Sequence, residues 1–140
     1  MNKDSRDIND CSQDLIIAFS NTKEIFENRH PDYKVICTQS YRSPQTQNAL
    51  YEIGRTRPGK IVTKAKGYQS PHNYSPSMAF DVAFIKAGKA DWDIKLYKEF
   101  ADILAKGENP NVESGINWVS FKDAPHHQIR NWKTKVKRDA

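Results

Sequence analysis

The sequence has few of the residues that would staple or anchor a chain. Only two of its 140 residues are cysteine, Cys11 and Cys37, and they show no CxxC spacing. A secreted disulfide scaffold is far richer in cysteine, so both are expected as reduced, partly buried thiols. Long apolar runs are missing too. The first one, Leu15 to Phe19, follows a polar stretch with four Asp and is too short for a signal-peptide core or a membrane span. The expectation is synthesis in the cytoplasm, with no signal peptide and no transmembrane segment. Any role outside then needs a separate route across the membrane. Internal repeats, low-complexity blocks and linkers are also lacking. One domain over residues 1–140 is therefore expected, with a helix in 1–32, a core over 33–132 and a basic tail at 133–140.

What is present suits a globular protein. Hydrophobic residues make up 37% and charged residues 28%, enough apolar material for a core at this length without help from metal or disulfide. The formal net charge of +5 is unevenly spread. Arg130, Lys133, Lys135, Lys137 and Arg138 face a single acid, Asp139, at the C-terminus, and the rest of the chain is near neutral. Such a tail either frays in solvent or holds the protein near an anionic envelope. The chain carries no DNA- or RNA-binding motif, so a specific nucleic-acid partner is not expected.

Periodicity sketches the elements. A helix is predicted from Asp10, with Gln13 completing a capping box and Leu15, Phe19, Thr22 and Phe26 on one face. Tyr33 to Gln39 reads as a buried strand. Ser43-Pro44 starts a second helix with Ala49, Leu50 and Ile53 as its apolar face. Gly59 to Pro76 reads as loop. Met78 to Ile85 reads as a strand that sets Phe80, Val82 and Phe84 on one face and Ala79, Asp81 and Ala83 on the other. A third helix is predicted from Asp93 to Lys106, stopped by Gly107. "GINWVSFKDAPHHQI" reads as strand, turn, strand. Helices and short strands without a βαβ rhythm predict an α+β fold.

The chemistry is concentrated in few residues. There are four histidines, His30, His72, His126 and His127. A hydrolytic zinc site takes about three protein ligands and keeps one position for water. His72, Asp81 and one of His126 and His127 meet that need. Those two neighbours on a strand face opposite ways, and spacing alone does not say which one faces the metal. Asp123, three residues earlier across Ala124-Pro125, is a candidate base, and Arg42 a candidate cation for a developing oxyanion. Taken singly, each has a plainer reading: a surface ion pair for Arg42, a turn residue for Asp123.

"SPHNYSPSMAFDVAF" and "WVSFKDAPHHQ" resemble the two zinc motifs of the family of D-Ala-D-Ala carboxypeptidases and phage L-Ala-D-Glu endopeptidases. That pattern runs Ser-x-His, Gly-x-Ala-x-Asp and, later, Asp/Glu-x-x-His. "YRSPQTQNALYEIGRTRPGKIVTKAKG" resembles its first signature, and together the motifs span Tyr33 to Trp132. The resemblance implies a small antiparallel sheet carrying a mononuclear Zn2+ site on one face, with helices on the other. It implies His72, Asp81 and His126 as ligands, so it selects His126 over His127, with Asp123 as base and Arg42 as polarising cation. Ser70 matches a serine that braces the loop or binds substrate. Gln47 matches a structural glutamine. Trp118 matches an aromatic near the cleft, with substrate contact or core packing both open and the core slightly favoured.

Two departures stand out. Ser75 holds the family's usual Gly position, and Asp81 follows His72 by nine residues where seven is usual. The run before the last motif is shortened to "GINW". The implied activity is cleavage of the peptidoglycan stem peptide at L-Ala-D-Glu by a monomeric phage endolysin. It would be held in the host cytoplasm until it reaches the wall. A D-Ala-D-Ala carboxypeptidase or dipeptidase, or a non-catalytic zinc domain of the same fold, are the alternatives.

Overall fold

Apolar spacing on two helices and alternation on one strand define the core. In a computed structural model of the protein, residues 3–120 and 122–136 are described. They form helices α1 (Gln13–Arg29), α2 (Pro44–Glu52) and α3 (Ile94–Lys106). The strands are β1 (Tyr33–Gln39), β2 (Ala79–Lys86), β3 (Lys89–Ala90), β4 (Val112–Ser114) and β5 (His126–Ile129). The strands pair antiparallel in the order β1-β2-β5-β4, with β3 hairpinned onto β2. This is an α+β architecture on a small antiparallel sheet. Among the described residues no helix is long and apolar enough to cross a membrane.

β2 is the central divide. Phe80, Val82 and Phe84 point to one face, where Leu15, Ala18, Phe19 and Phe26 of α1 and Phe100, Ala101 and Leu104 of α3 bury them. Phe84 lies 4.9 Å from Phe26 and 5.9 Å from Phe100, ring centre to ring centre. Emptying a site so tightly filled leaves a void that the neighbours close only in part. Phe84→Ala is expected to cost about 3–5 kcal/mol, read as a lower urea midpoint with unchanged slope.

Four expectations are corrected. The first helix starts at Gln13, with no capping box at Asp10. Cys11 is held extended as Ser77 N donates to Asp10 O and Ser12 N to Ser77 O, so the helix waits until after Ser12. Asp7 caps a short 3-10 turn, Ile8–Asp10, in its place. β1 is an edge strand, and only Val35 of it is fully buried. α2 does not join the helical layer; of its residues only Gln47 is buried, while Leu50 borders the cleft described below. In the last segment the strand lies upstream at Val112–Ser114, and Gly115–Asn117 is a 3-10 turn. Lys137 and Arg138 of the basic tail lie outside the described residues.

Both thiols are free, Cys11 buried and Cys37 half-buried. Burial pushes each up to about 12, so neither offers a thiolate near neutral pH.

Candidate metal centre and active site

The opposite face of β2 carries the polar cluster. Asp81 sits directly across from His126 on β5 and pairs with Gln39 on β1. Cross-strand partners share a face, so the carboxylate and the imidazole meet: Asp81 Oδ1 is 3.1 Å from His126 Nδ1. His72 reaches the same oxygen from the loop before β2, with Nε2 at 3.4 Å. One ligand atom from each of the three lies within 4.8 Å of the others.

The loop holding His72 is built to stay still. His72 lies in a 3-10 turn, Pro71–Asn73, whose N-cap is Ser70. The Ser70 hydroxyl accepts from His72 N, and Asn73 Oδ1 accepts from Ser70 N in return. The Ser70 hydroxyl is thus engaged in bracing this turn, although the residue also lines the cleft. Arg42 N donates to His72 O, and Asn73 Nδ2 donates to Arg42 O. The turn and the Arg42 segment are therefore tied together. The added length of the loop is accommodated outward: Ser75 and Pro76 are exposed, while Ser77 is fully buried and returns the chain to β2.

Both rings have an acceptor behind them. His72 Nδ1–H donates to the Ser40 carbonyl at 2.7 Å, and His126 Nε2 lies 2.8 Å from Gln128 Oε1. With those nitrogens protonated, His72 Nε2 and His126 Nδ1 turn lone pairs toward Asp81. His72 Nε2 is buried with no hydrogen-bond partner. An orphaned buried nitrogen costs about 1–3 kcal/mol, and a cation at that point would remove the penalty. The spacing suits one as well. Tetrahedral ligands at about 2.1 Å stand about 3.4 Å apart, close to the 3.1 and 3.4 Å found here. The donor set, two neutral nitrogens and a carboxylate, fits zinc.

Electrostatics agree with a cation site. Burial alone would raise the Asp81 carboxyl, but His72 and His126 hold it well below the usual carboxylate range. Burial alone would lower His126, but Asp81 and Asp123 raise it. His127 points the other way, into the core. It is fully buried, stacked 5.1 Å from Phe80, with Nδ1 2.8 Å from Ser114 Oγ. Burial pushes His127 down to about 3, so it stays neutral.

Asp123, Arg42 and Trp118 line the same cleft of about 990 Å³ as the three ligand candidates. Burial pushes the Asp123 carboxyl up, with neighbouring Asp81 adding to it and His126, His72 and Arg42 opposing. Its turn is pinned, since Asp123 N donates to Gly115 O and His126 N to Asp123 O. A Cβ on Gly115 would sit 2.4 Å from the Asp123 carbonyl oxygen, so this position admits only glycine without moving the turn. Arg42 Nη2 stands 3.9 Å from Asp81 Oδ2, and Nη1 donates to Gln47 Oε1 at 3.1 Å. Gln47 is fully buried and passes its own N–H to Ala65 O, which fixes the guanidinium in the cleft. Trp118 is half-buried over His126, ring centres 5.5 Å apart, and lies outside the hydrophobic core, against the packing slightly favoured from sequence.

Sequence reasoning did not single out Ser40, Gly115, Gln128 or Glu113. Ser40 acts through its backbone, which no side-chain pattern reveals. The signal for Gly115 was present, a glycine eight residues before Asp123, but its meaning needs the tertiary contact.

Comparison with known proteins follows the same direction. No family model matches the chain. The peptidoglycan L-alanyl-D-glutamate endopeptidase CwlK of Bacillus subtilis (strain 168) is 35% identical over 102 residues, which are 68% of this chain and 60% of that protein. The chain thus spans less than two thirds of its relative's length. The crystal structure of Serratia marcescens L-Ala D-Glu endopeptidase ChiX superposes with a TM-score of 0.67 at 19% identity, covering 92% of this chain and 87% of that one. At that identity the likeness is one of fold. With the sequence relative and the shared fold together, the chain belongs to the peptidase family of the D-Ala-D-Ala carboxypeptidases and L-alanyl-D-glutamate endopeptidases.

Proposed function

We propose that this protein is a zinc-dependent endopeptidase that hydrolyses the L-Ala-D-Glu bond of the peptidoglycan stem peptide. The observation that carries the reading is the convergence of His72, Asp81 and His126 in one cleft with Asp123 and Arg42. The names of CwlK and ChiX support the choice of bond.

His72, Asp81 and His126 would hold the ion. Zinc, when bound, would supply a Lewis acid for the carbonyl and would lower the pKa of water to about 7. Asp123 accepts the proton of the attacking water and returns it to the departing amine of D-Glu. Arg42, held by Gln47 and Asp81, faces the negative charge that grows on the carbonyl oxygen. Trp118, over His126, offers an apolar wall to the substrate backbone. Gln47→Leu, which frees the guanidinium, is expected to lower kcat about tenfold or more while zinc content stays whole. Steady-state kinetics beside metal analysis checks this.

Gly54 to Gly67 beside the cleft holds Arg55, Arg57, Lys60, Lys64 and Lys66 and no acid. A stem peptide bears carboxylates, so cleavage of sacculi is expected to weaken as salt rises, through KM rather than kcat. A salt-independent KM would remove this role. The basic tail fits contact with the same anionic envelope.

The role as a phage endolysin, waiting as a monomer in the host cytoplasm, rests on the lysin-like signature around Tyr41 to Thr56. Co-expression with a membrane-pore protein should lyse bacteria where expression alone does not. The bond itself is tested by mass spectrometry of purified sacculi. New N-terminal D-Glu is expected without chelator and absent with it. Release of D-Ala would point to the carboxypeptidase alternative, and no cleavage at all would end the reading.

A further inference from the structure

Behind the cleft, the ring of His126 leads into a line of two more side chains. His126 Nε2 lies 2.8 Å from Gln128 Oε1, and Gln128 Nε2 donates to Glu113 Oε2 at 2.6 Å. Gln128 follows His126 by two residues on β5, so both share a face, and Glu113 is its cross-strand partner on β4. Glu113 itself does not line the cleft.

The order of donors along this line has a consequence for the metal. An amide can turn either end to a neighbour, so a glutamine alone leaves the imidazole's proton unassigned. A carboxylate only accepts. Glu113 therefore takes the N–H end of Gln128 and leaves the carbonyl end for His126. That carbonyl accepts a proton from Nε2, and Nδ1 keeps its lone pair on the side of Asp81. Arg130, with Nη1 3.6 Å from Glu113 Oε1, steadies the outer end. His72 needs no such line, because its acceptor is the Ser40 backbone carbonyl, which has no second end to present.

We propose that Glu113 and Gln128 are positioning residues that set which nitrogen of His126 is offered to the metal, through the direction of their hydrogen bonds. This rests on the metal reading above and extends it to a carboxylate outside the cleft. Outer partners of ligating histidines commonly change metal affinity about 10–100-fold.

The test measures zinc dissociation constants by competition with a chromogenic chelator, alongside melting of the metal-free protein. In Glu113→Gln the residue behind Gln128 can donate or accept, so Gln128 is free to turn its N–H end to His126. Zinc affinity is expected to fall about tenfold or more, with the metal-free melting temperature unchanged. The double variant E113Q/Q128E sets an acceptor-only group against His126 and an amide behind it, and its zinc affinity is expected to recover. Wild-type affinity in Glu113→Gln overturns the proposal, as does an equal loss in the double variant. A loss accompanied by lower melting and no rescue marks Glu113 as merely structural and overturns it too. Wild-type protein that takes up no zinc overturns the functional reading along with it, whereas zinc bound equally by wild type and Glu113→Gln removes this inference alone.

Discussion

Asp123→Ala is expected to keep its zinc and to lose about 10²–10⁴-fold in turnover of the stem peptide, the usual range for a general acid–base group. The carboxylate lines the cleft but is not one of the three groups that converge on a single point. On the proposed mechanism its removal takes away the proton carrier and leaves the three candidate metal ligands in place. Burial holds its carboxyl above the usual range, which suits a group that must take up a proton and release it again within each turnover. The fold should tolerate the change, because the pinning of the turn runs through the Asp123 backbone. Metal content by mass spectrometry and single-turnover kinetics on a defined muropeptide check both halves. Retained turnover, or loss of zinc, removes the assigned role.

The second large effect separates two adjacent histidines. His126→Ala is expected to abolish stoichiometric zinc binding and with it activity, while the hydrophobic core stays intact. His127→Ala is expected to do the reverse, keeping zinc and losing about 2–5 kcal/mol of stability, because its ring fills a site between Phe80 and Phe100. The physical ground is the pleat, which sends consecutive side chains of β5 to opposite faces. Zinc titration and urea unfolding on both variants give four numbers. Equal zinc loss in the two would break the argument from the pleat.

Much of the architecture was legible because the elements obey simple periods. Phe80, Val82 and Phe84 alternate with Asp81, and that alternation alone separates core face from polar face. α3 is announced by Asp93 at one end and Gly107 at the other, and both serve as its caps. The start of α1 was not legible, because what delays it is a pair of backbone bonds to Ser77, far along the chain. The edge position of β1 was hidden for a related reason. An apolar, β-branched run reads the same whether one face or both are covered, and which strands flank it is a matter of topology.

The site divides in the same way. His72, Asp81 and His126 stand far apart in sequence, and spacing alone left the choice between His126 and His127 open. The resemblance to the family's motifs made that choice, and the register of β2 against β5 gives it a geometric basis in Asp81 facing His126. The motif leaves Trp118 open between core and cleft, and the turn Gly115–Asn117 carries it to the cleft. Gln128 and Glu113 gave no signal, since a glutamine and a glutamate on short strands look like ordinary surface residues. Their meaning appears only when hydrogen-bond direction is followed from atom to atom.

Diffraction from crystals grown with one equivalent of zinc, recorded on both sides of the zinc absorption edge, tests the central claim most directly. The account predicts one strong anomalous peak at bonding distance from His72 Nε2, Asp81 Oδ1 and His126 Nδ1. A peak elsewhere, or none at all, would contradict it.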